Sequence, residues 1–254
     1  MNTPTPIALI TGGSRGLGRS TALKLAEHGS DLIITYQRNR VAADAVVSQI
    51  CRAGRRAVAL PLDTGDIASF ERFAGQLRET LRRTFETESF QYLVNNAGIG
   101  SDAGIAETTE EQFDHLMNVH FKGVFFLTQK LLPLIADGGR IVNLSSGLTR
   151  FAYPGKAAYA AMKGAVEVLT TYMAKELGPR RIGVNVVAPG AIATDFGGGV
   201  VRDNPSVNKL IASATALGRV GLPDDIGGAI AHLLSAECGW INAQRIEISG
   251  GMSL

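Results

Sequence analysis

IALITGGSRGLG, residues 7–18, is where the reading of this chain begins. Its first five residues are apolar or β-branched, the pattern of a short buried strand. A glycine-rich turn comes next and opens a helix running to about residue 28. Glycines 12, 16 and 18 let the backbone turn tightly and leave room for a phosphate at the helix N-terminus. The spacing is G-x-x-x-G-x-G, not the G-x-G-x-x-G of the common dinucleotide fingerprint. The turn therefore needs support from the rest of the chain.

The same alternation continues outward. LIITY (32–36) precedes a helix over about 41–53, and AVALPLD (57–63) precedes one over roughly 66–84. YLVNNAG (92–98) leads into a long helical segment near 109–136, and RIVNLSS (140–146) into the helix carrying Tyr159. GVNVVAPG (183–190) leads to a loop and a helix near 223–236, and RIEIS (245–249) closes the series. The strands are apolar almost throughout, as in strands buried on both faces. Alternating β and α elements predict a Rossmann-type, doubly wound parallel sheet with helices on both faces. No proline- or serine-rich linker divides the 254 residues, so one domain, 1–254, is expected.

Bulk properties exclude several classes. Net charge is +2 and no Lys/Arg block stands out, which argues against nucleic acid as a partner. Cys51 and Cys238 are the only cysteines and suggest neither a disulfide framework nor a metal site. No apolar run reaches the ~18 residues that span a bilayer, and the start lacks a signal-peptide pattern. A cytoplasmic location and no membrane partner are the expectations.

AYAAMKGAV (158–166) places Tyr159 four residues ahead of Lys163, on one helix face. A lysine ammonium ~4 Å from a phenol, at an effective dielectric of ~20, favours phenolate by ~4 kcal/mol. Desolvation opposes that, so the figure is a ceiling. A tyrosine brought toward neutrality can give a proton to a carbonyl oxygen or take one from an alcohol. The four histidines, His28, His115, His120 and His232, are scattered, and offer neither a base for a hydrolase triad nor metal-ligand spacing.

TGGSRGLG (11–18), NNAG (95–98), Ser146, the Tyr159/Lys163 pair and PGAIAT (189–194) occur in an order that resembles the short-chain dehydrogenase/reductase family, nearly end to end. The likeness is to its single-domain branch, among 3-oxoacyl-carrier-protein reductases and carbonyl reductases. It implies a sheet of about seven strands, a nicotinamide dinucleotide and a homotetramer. It implies catalytic roles for Ser146, Tyr159, Lys163 and Asn118, with Ser145 the rival of Ser146. Asn118 lies mid-helix, where asparagine competes for backbone hydrogen bonds. The resemblance makes it the centre of a local helix distortion that anchors a water joined to Lys163. Met162 stands where many relatives carry serine, and should leave the chemistry untouched.

For the cofactor, the resemblance implies contacts from Gly12, Ser14, Arg15, Gly16, Leu17 and Gly18 in the turn. Tyr36, Asp63, Thr64, Asn95, Ala97 and Gly98 are implied around the adenosine; Pro189, Gly190, Ile192 and Thr194 around the nicotinamide. An acidic residue at the end of the second strand would bind a ribose 2′-hydroxyl and repel a 2′-phosphate. None is present in TYQRNR (35–40), whereas Arg38 and Arg15 can pair with a phosphate. NADP(H) is therefore expected. Ile99, Leu148, Phe151, Tyr153 and Phe196, with Ser146, should line a mostly apolar pocket for a small carbonyl substrate. FGGGVVRDNPSVNKLIASA (196–214), within a stretch near 191–216, reads as a lid. A 3-oxoacyl thioester stays open as substrate, its acidic carrier needing a basic patch from residues such as Lys122, Arg180 and Arg181. A non-catalytic dinucleotide sensor is the remote alternative.

Overall fold

The structure is a computed structural model that describes residues 5–100 and 102–254. Strands β1 (Ile7–Ile10), β2 (Asp31–Tyr36), β3 (Ala57–Pro61), β4 (Phe90–Asn95), β5 (Ile135–Leu144), β6 (Gly183–Pro189) and β7 (Arg245–Ile248) form one sheet. The order is β3-β2-β1-β4-β5-β6-β7, and every pairing is parallel. Helices are α1 (Gly16–Glu27), α2 (Arg40–Arg52), α3 (Phe70–Phe85), α4 (Glu110–Met117), α5 (Gly123–Leu131), α6 (Ala157–Leu177), α7 (Val200–Asp203), α8 (Pro205–Ser213) and α9 (Pro223–Leu233).

Side chains on β1 alternate between two cores. Ile7 and Leu9 join residues of α3, α5 and α6, including Leu77, Leu127 and Val166. Ala8 and Ile10 join residues of α1, α2 and α9, including Leu25, Val46 and Ile226. A strand covered on both faces has no solvated side, which is why its sequence shows no polar alternation. β1 is flanked by β2 and β4, so the chain reverses direction across the sheet there. In open sheets of this kind, ligands bind beyond the carboxyl ends of the strands at that reversal. The glycine turn, NNAG and Ser146 all leave the sheet at this edge.

Two segments differ from the expectation. The long helix near 109–136 is broken: α4 ends at Met117, residues Asn118–Lys122 form a widened π turn, and α5 stops at Leu131. Gly123 explains part of this, because its backbone packs so closely on Thr64 that a Cβ would lie 2.3 Å from the Thr64 carbonyl oxygen. Pro133, which has no N–H, then turns the chain within Leu132–Leu134, and β5 begins at Ile135. The second segment is the stretch near 191–216. It holds α7 and α8, the latter capped by Asn204, whose Oδ1 accepts from the Ser206 and Val207 amides. Gly197, Gly198 and Gly199 before them all have positive φ (61°, 73° and 77°), a backbone that other residues adopt only at a cost.

Candidate active site

The turn between β1 and α1 is built to receive an anion. Gly12 and Gly16 have φ of 66° and 54°. A Cβ on Gly18 would lie 2.4 Å from the Gly12 carbonyl oxygen, so this position needs glycine for close packing. Asn96 clamps the turn by donating its side-chain N–H to the Thr11 and Gly12 carbonyls. The start of α1 carries no side-chain cap and no acidic residue in its first turn. Its amides and dipole are thus uncompensated, as a phosphate site requires. Arg15 and Arg38 are exposed, and neither side chain has a partner among the described residues. Thr194 closes over the turn: a Cβ on Gly16 would touch it at 3.7 Å. These features fit a bound phosphorylated dinucleotide.

Other expected cofactor residues divide. Ser14 is half-buried in the turn. Thr64 and Ala97 line a cavity of about 10 Å³ with Thr11 and Val119. Gly98 has no room for a side chain, because a Cβ would lie 2.8 Å from the His120 ring. Leu17 and Tyr36 pack against the α1/α2 core, and so does Ile192. Gly190, following Pro189, sits against Ser249, where a Cβ would approach to 2.9 Å. Asp63 is engaged by the Gln37 side chain (2.7 Å) and the Gly65 amide (2.8 Å). Asn95 lines the same small cavity as Thr64 and Ala97, while its buried side chain donates to Thr128 Oγ1 and Asn143 Oδ1, tying β4 to α5 and β5. It faces into the sheet because it is the last residue of β4, and its neighbour Asn96 turns to the glycine loop instead.

At the start of α6, Tyr159 and Lys163 are both buried, in a small core with Leu116 and Met162. Met162 packs and takes no polar role, as expected. Lys163 Nζ donates to the Leu144 carbonyl at 2.7 Å and lies 5.6 Å from the Tyr159 ring centroid. Burial pushes the phenol up to about 12, against a hydrogen bond with Ser146 that lowers it. Burial also pushes the lysine down to about 7. The expected lowering of the tyrosine by the ammonium is therefore absent from the protein alone. Desolvation wins because both groups sit inside the same dry core.

Ser146 begins the 3₁₀ turn Gly147–Thr149, and its Oγ accepts from the Leu148 amide. Ser145, its rival, is buried and donates to Glu167 Oε1 at 2.6 Å, away from the phenol. Ile99 and Leu148 pack beside Tyr159, and the Phe196 ring lies 6.0 Å from it. Phe151 does not join them: it lies under the Arg150 guanidinium, against Gly147. Tyr153 is exposed, 59% of its surface facing solvent.

Asn118 opens the π turn, so the anticipated helix distortion is present. Its carbonyl accepts the Gly123 amide, but its side chain makes no hydrogen bond among the described residues. The side chain that reaches the site from this turn is His120. It is buried, edge-on to Tyr159 with ring centroids 5.1 Å apart, and its Nε2 lies 2.8 Å from the Ile99 carbonyl. Nothing in the spacing of the four histidines marked it; the π turn re-aims residues that a regular helix would point elsewhere. Glu167, one turn beyond Lys163, was also unmarked. Its Oε1 accepts from Ser145, Thr149 and Arg245, and so braces the Ser146 turn against β7.

A buried phenol and lysine with a half-buried serine, at the sheet edge that also carries the glycine turn, fit a nicotinamide-dependent oxidoreductase, and comparison with known proteins agrees. The family model described as enoyl-(acyl carrier protein) reductase matches residues 12–253. The chain belongs to the short-chain dehydrogenase/reductase family of oxidoreductases. It is 34% identical over 258 residues to versicolorin reductase 1 of Aspergillus parasiticus, covering 96% of this chain and 95% of that one. The promiscuous reductase LugOII, which catalyses keto-reduction at C1 during lugdunomycin biosynthesis, is 38% identical, with a TM-score of 0.94 and full coverage of both chains. The angucycline C-6 ketoreductase LanV with bound NADP is 36% identical, with a TM-score of 0.93 over 98% of this chain and 96% of that one.

Proposed function

We propose that the protein uses NADPH to reduce a ketone on a polycyclic aromatic compound to a secondary alcohol, with Tyr159 as the proton donor. The observation that carries this reading is the buried Tyr159 with Lys163 Nζ 5.6 Å from its ring centroid, and Ser146 near enough to lower its pKa. A phenol pushed up to about 12 by burial is protonated at physiological pH but is a weak acid, so donation calls on the positive charge of Lys163 and of the oxidised nicotinamide to ease the proton's departure. Ser146 and Tyr159 offer two O–H groups to one oxygen, as a carbonyl taking up hydride requires. The dinucleotide supplies that hydride when bound. On this chain Lys163 holds positive charge behind the phenol, and Arg15 and Arg38 select the 2′-phosphate. Asn118, at the head of the π turn, is the candidate to anchor a water joined to Lys163.

Phe196, Ile99 and Leu148 surround Tyr159 with apolar side chains, one of them a ring able to stack on a fused-ring ketone, and LugOII, LanV and versicolorin reductase, named as a keto-reducing enzyme, a ketoreductase and a reductase, support carbonyl reduction. A 3-oxoacyl thioester is the second reading, but Arg180, one of the cations that could dock an acidic carrier, is spent on Asp137 and the Leu132 and Ile135 carbonyls. The exposed side chains Phe125, Val168 and Tyr172 line a groove of about 580 Å³ on α5 and α6. They suit contact with a second copy within a homotetramer, which light scattering after size exclusion tests.

The deciding experiment screens aromatic ketones and acyl thioesters with NADPH and NADH, and repeats the best pair with Tyr159→Phe. Loss of at least about 10³-fold in kcat, with NADPH binding kept, is expected. Full turnover by that variant would rule Tyr159 out as donor.

A further inference from the structure

Ser146 stands just past the point where the sheet supports the chain. Strand β5 ends at Leu144, and the Ser145 amide still reaches the Val187 carbonyl of β6 at 2.7 Å. Ser146 follows in extended conformation and leads into the short turn Gly147–Thr149. Its Oγ accepts the Leu148 amide, which leaves the hydroxyl proton for another acceptor. Where that proton points depends on how firmly the turn is held.

One atom holds the turn from both sides. Ser145, just before Ser146, reaches Glu167 Oε1 at 2.6 Å, and Thr149, three residues after it, reaches the same oxygen at 2.7 Å. Each hydroxyl has a single proton and a second acceptor in range: the Lys163 carbonyl at 3.4 Å for Ser145, the Ser146 carbonyl at 2.9 Å for Thr149. The carboxylate is the stronger acceptor and the closer one in both cases, so both protons go to Glu167. Arg245, on β7, donates its Nε to this oxygen at 2.8 Å and an Nη to Thr149 Oγ1 at 3.1 Å. Its other Nη goes to Glu247 at 3.0 Å, which fixes the guanidinium from a second direction. Glu167 lies one turn beyond Lys163 on α6. The helix that carries Tyr159 and Lys163 therefore also grips the turn that carries Ser146.

We propose that Glu167 is a positioning residue for Ser146: through Ser145, Thr149 and Arg245 its carboxylate locks the serine turn to α6, so that the Ser146 and Tyr159 hydroxyls converge on one carbonyl oxygen. Those two donors sit on different elements, and Glu167 bridges the elements. A shift of about 1 Å in one donor is enough to cost on the order of 10²-fold in rate. The inference rests on Ser146 and Tyr159 both donating to the substrate oxygen.

Two variants of similar length separate positioning from packing. Glu167→Gln keeps an oxygen at the Oε1 position, and Glu167→Met removes the acceptor. Thermal melts and KM accompany each. Glu167→Met should lose about 10- to 100-fold in kcat with NADPH affinity kept within about twofold, and Glu167→Gln should recover most of that loss. If Glu167→Met does not fold, Ser145→Ala with Thr149→Val removes the two hydroxyls, leaves the pair with Arg245, and should show the same loss. The decisive arm is a double-mutant cycle with Ser146→Ala. Removing one such donor costs about 10²–10³-fold in kcat, which leaves turnover to measure. In that background Glu167→Met should cost almost nothing more, because its effect runs through Ser146. A second loss of the same size there, or a Glu167→Gln protein no faster than Glu167→Met, would overturn the proposal. If Ser146→Ala is slow and Glu167→Met has the wild-type kcat, this inference falls while the reading of Ser146 stands. If Ser146→Ala keeps full turnover, the underlying reading falls first.

Discussion

The turn after β1 and the first turn of α6 stand at the same edge of the sheet, yet they treat charge in opposite ways. In the glycine turn the cations Arg15 and Arg38 are exposed, with no partner among the described residues, and the helix amides are uncapped. At α6 the cation Lys163 is buried and its neighbour Tyr159 is buried with it. Exposed charges cost almost nothing to keep and attract a phosphate over a distance. Buried ones cost stability, and in return the protein sets their protonation state. On the proposed function, binding falls to the first kind and chemistry to the second.

The largest effect should come from the exposed pair. Arg15→Ala with Arg38→Ala is expected to weaken NADPH by about 100-fold, on the order of 2.7 kcal/mol, and NADH by much less. Titration by nucleotide fluorescence gives both constants. Equal loss for the two nucleotides would mean that these arginines do not read the 2′-phosphate, and would remove half of the contrast.

Lys163→Met tests the buried half through stability. The folded pKa of Lys163, about 7, lies below its ordinary 10.5. The wild type therefore carries a penalty at pH 6 that fades as pH rises from about 7 toward 10.5. The methionine variant should be the more stable protein at pH 6, by about 2 kcal/mol after the Leu144 carbonyl loses its donor, and should lose that advantage near pH 10. Thermal melts across this range measure it. A variant less stable than wild type at pH 6 would show that burial costs the lysine little.

Glu247 supplies the smallest effect and a control, being a charge neither exposed for binding nor placed for chemistry. Arg150 chiefly, with Ser249 and Arg245, holds its carboxyl down at about 2. Its contribution is present above about pH 4.5 and lost as pH falls toward 2. Glu247→Gln should cost less than about 1 kcal/mol at pH 7, because solvent screens the pair, and the gap should close at pH 2–3. The difference between denaturant midpoints at the two pH values reads it directly.

Much of the site was legible because it depends on spacing within single elements. Tyr159 and Lys163 share a helix face by their i, i+4 separation, and Gly12, Gly16 and Gly18 announce a tight turn by residue type alone. Ser146 was separable from Ser145, and Glu167 taking the Ser145 hydroxyl gives that choice a physical basis. What stayed hidden has a tertiary cause. The distortion expected at Asn118 is present, but His120 was not legible, because only the π turn at Asn118–Lys122 decides which side chains face α6. In the string NNAG, strand pleating sends the Asn95 side chain inward to brace the sheet and leaves Asn96 to clamp the glycine turn, a division that only the structure shows.

Local chemistry in the chain was enough to determine the doubly wound sheet, the phosphate-accepting turn and the Tyr159/Lys163 pair. Hydrophobic period, glycine placement and helical spacing act over a few residues and survive without a partner. Only the tertiary structure decided the protonation of that pair and the arrival of His120 beside it. Those depend on how much water the surrounding elements exclude and on the close approach of Gly123 to Thr64, distances set by segments far apart in sequence.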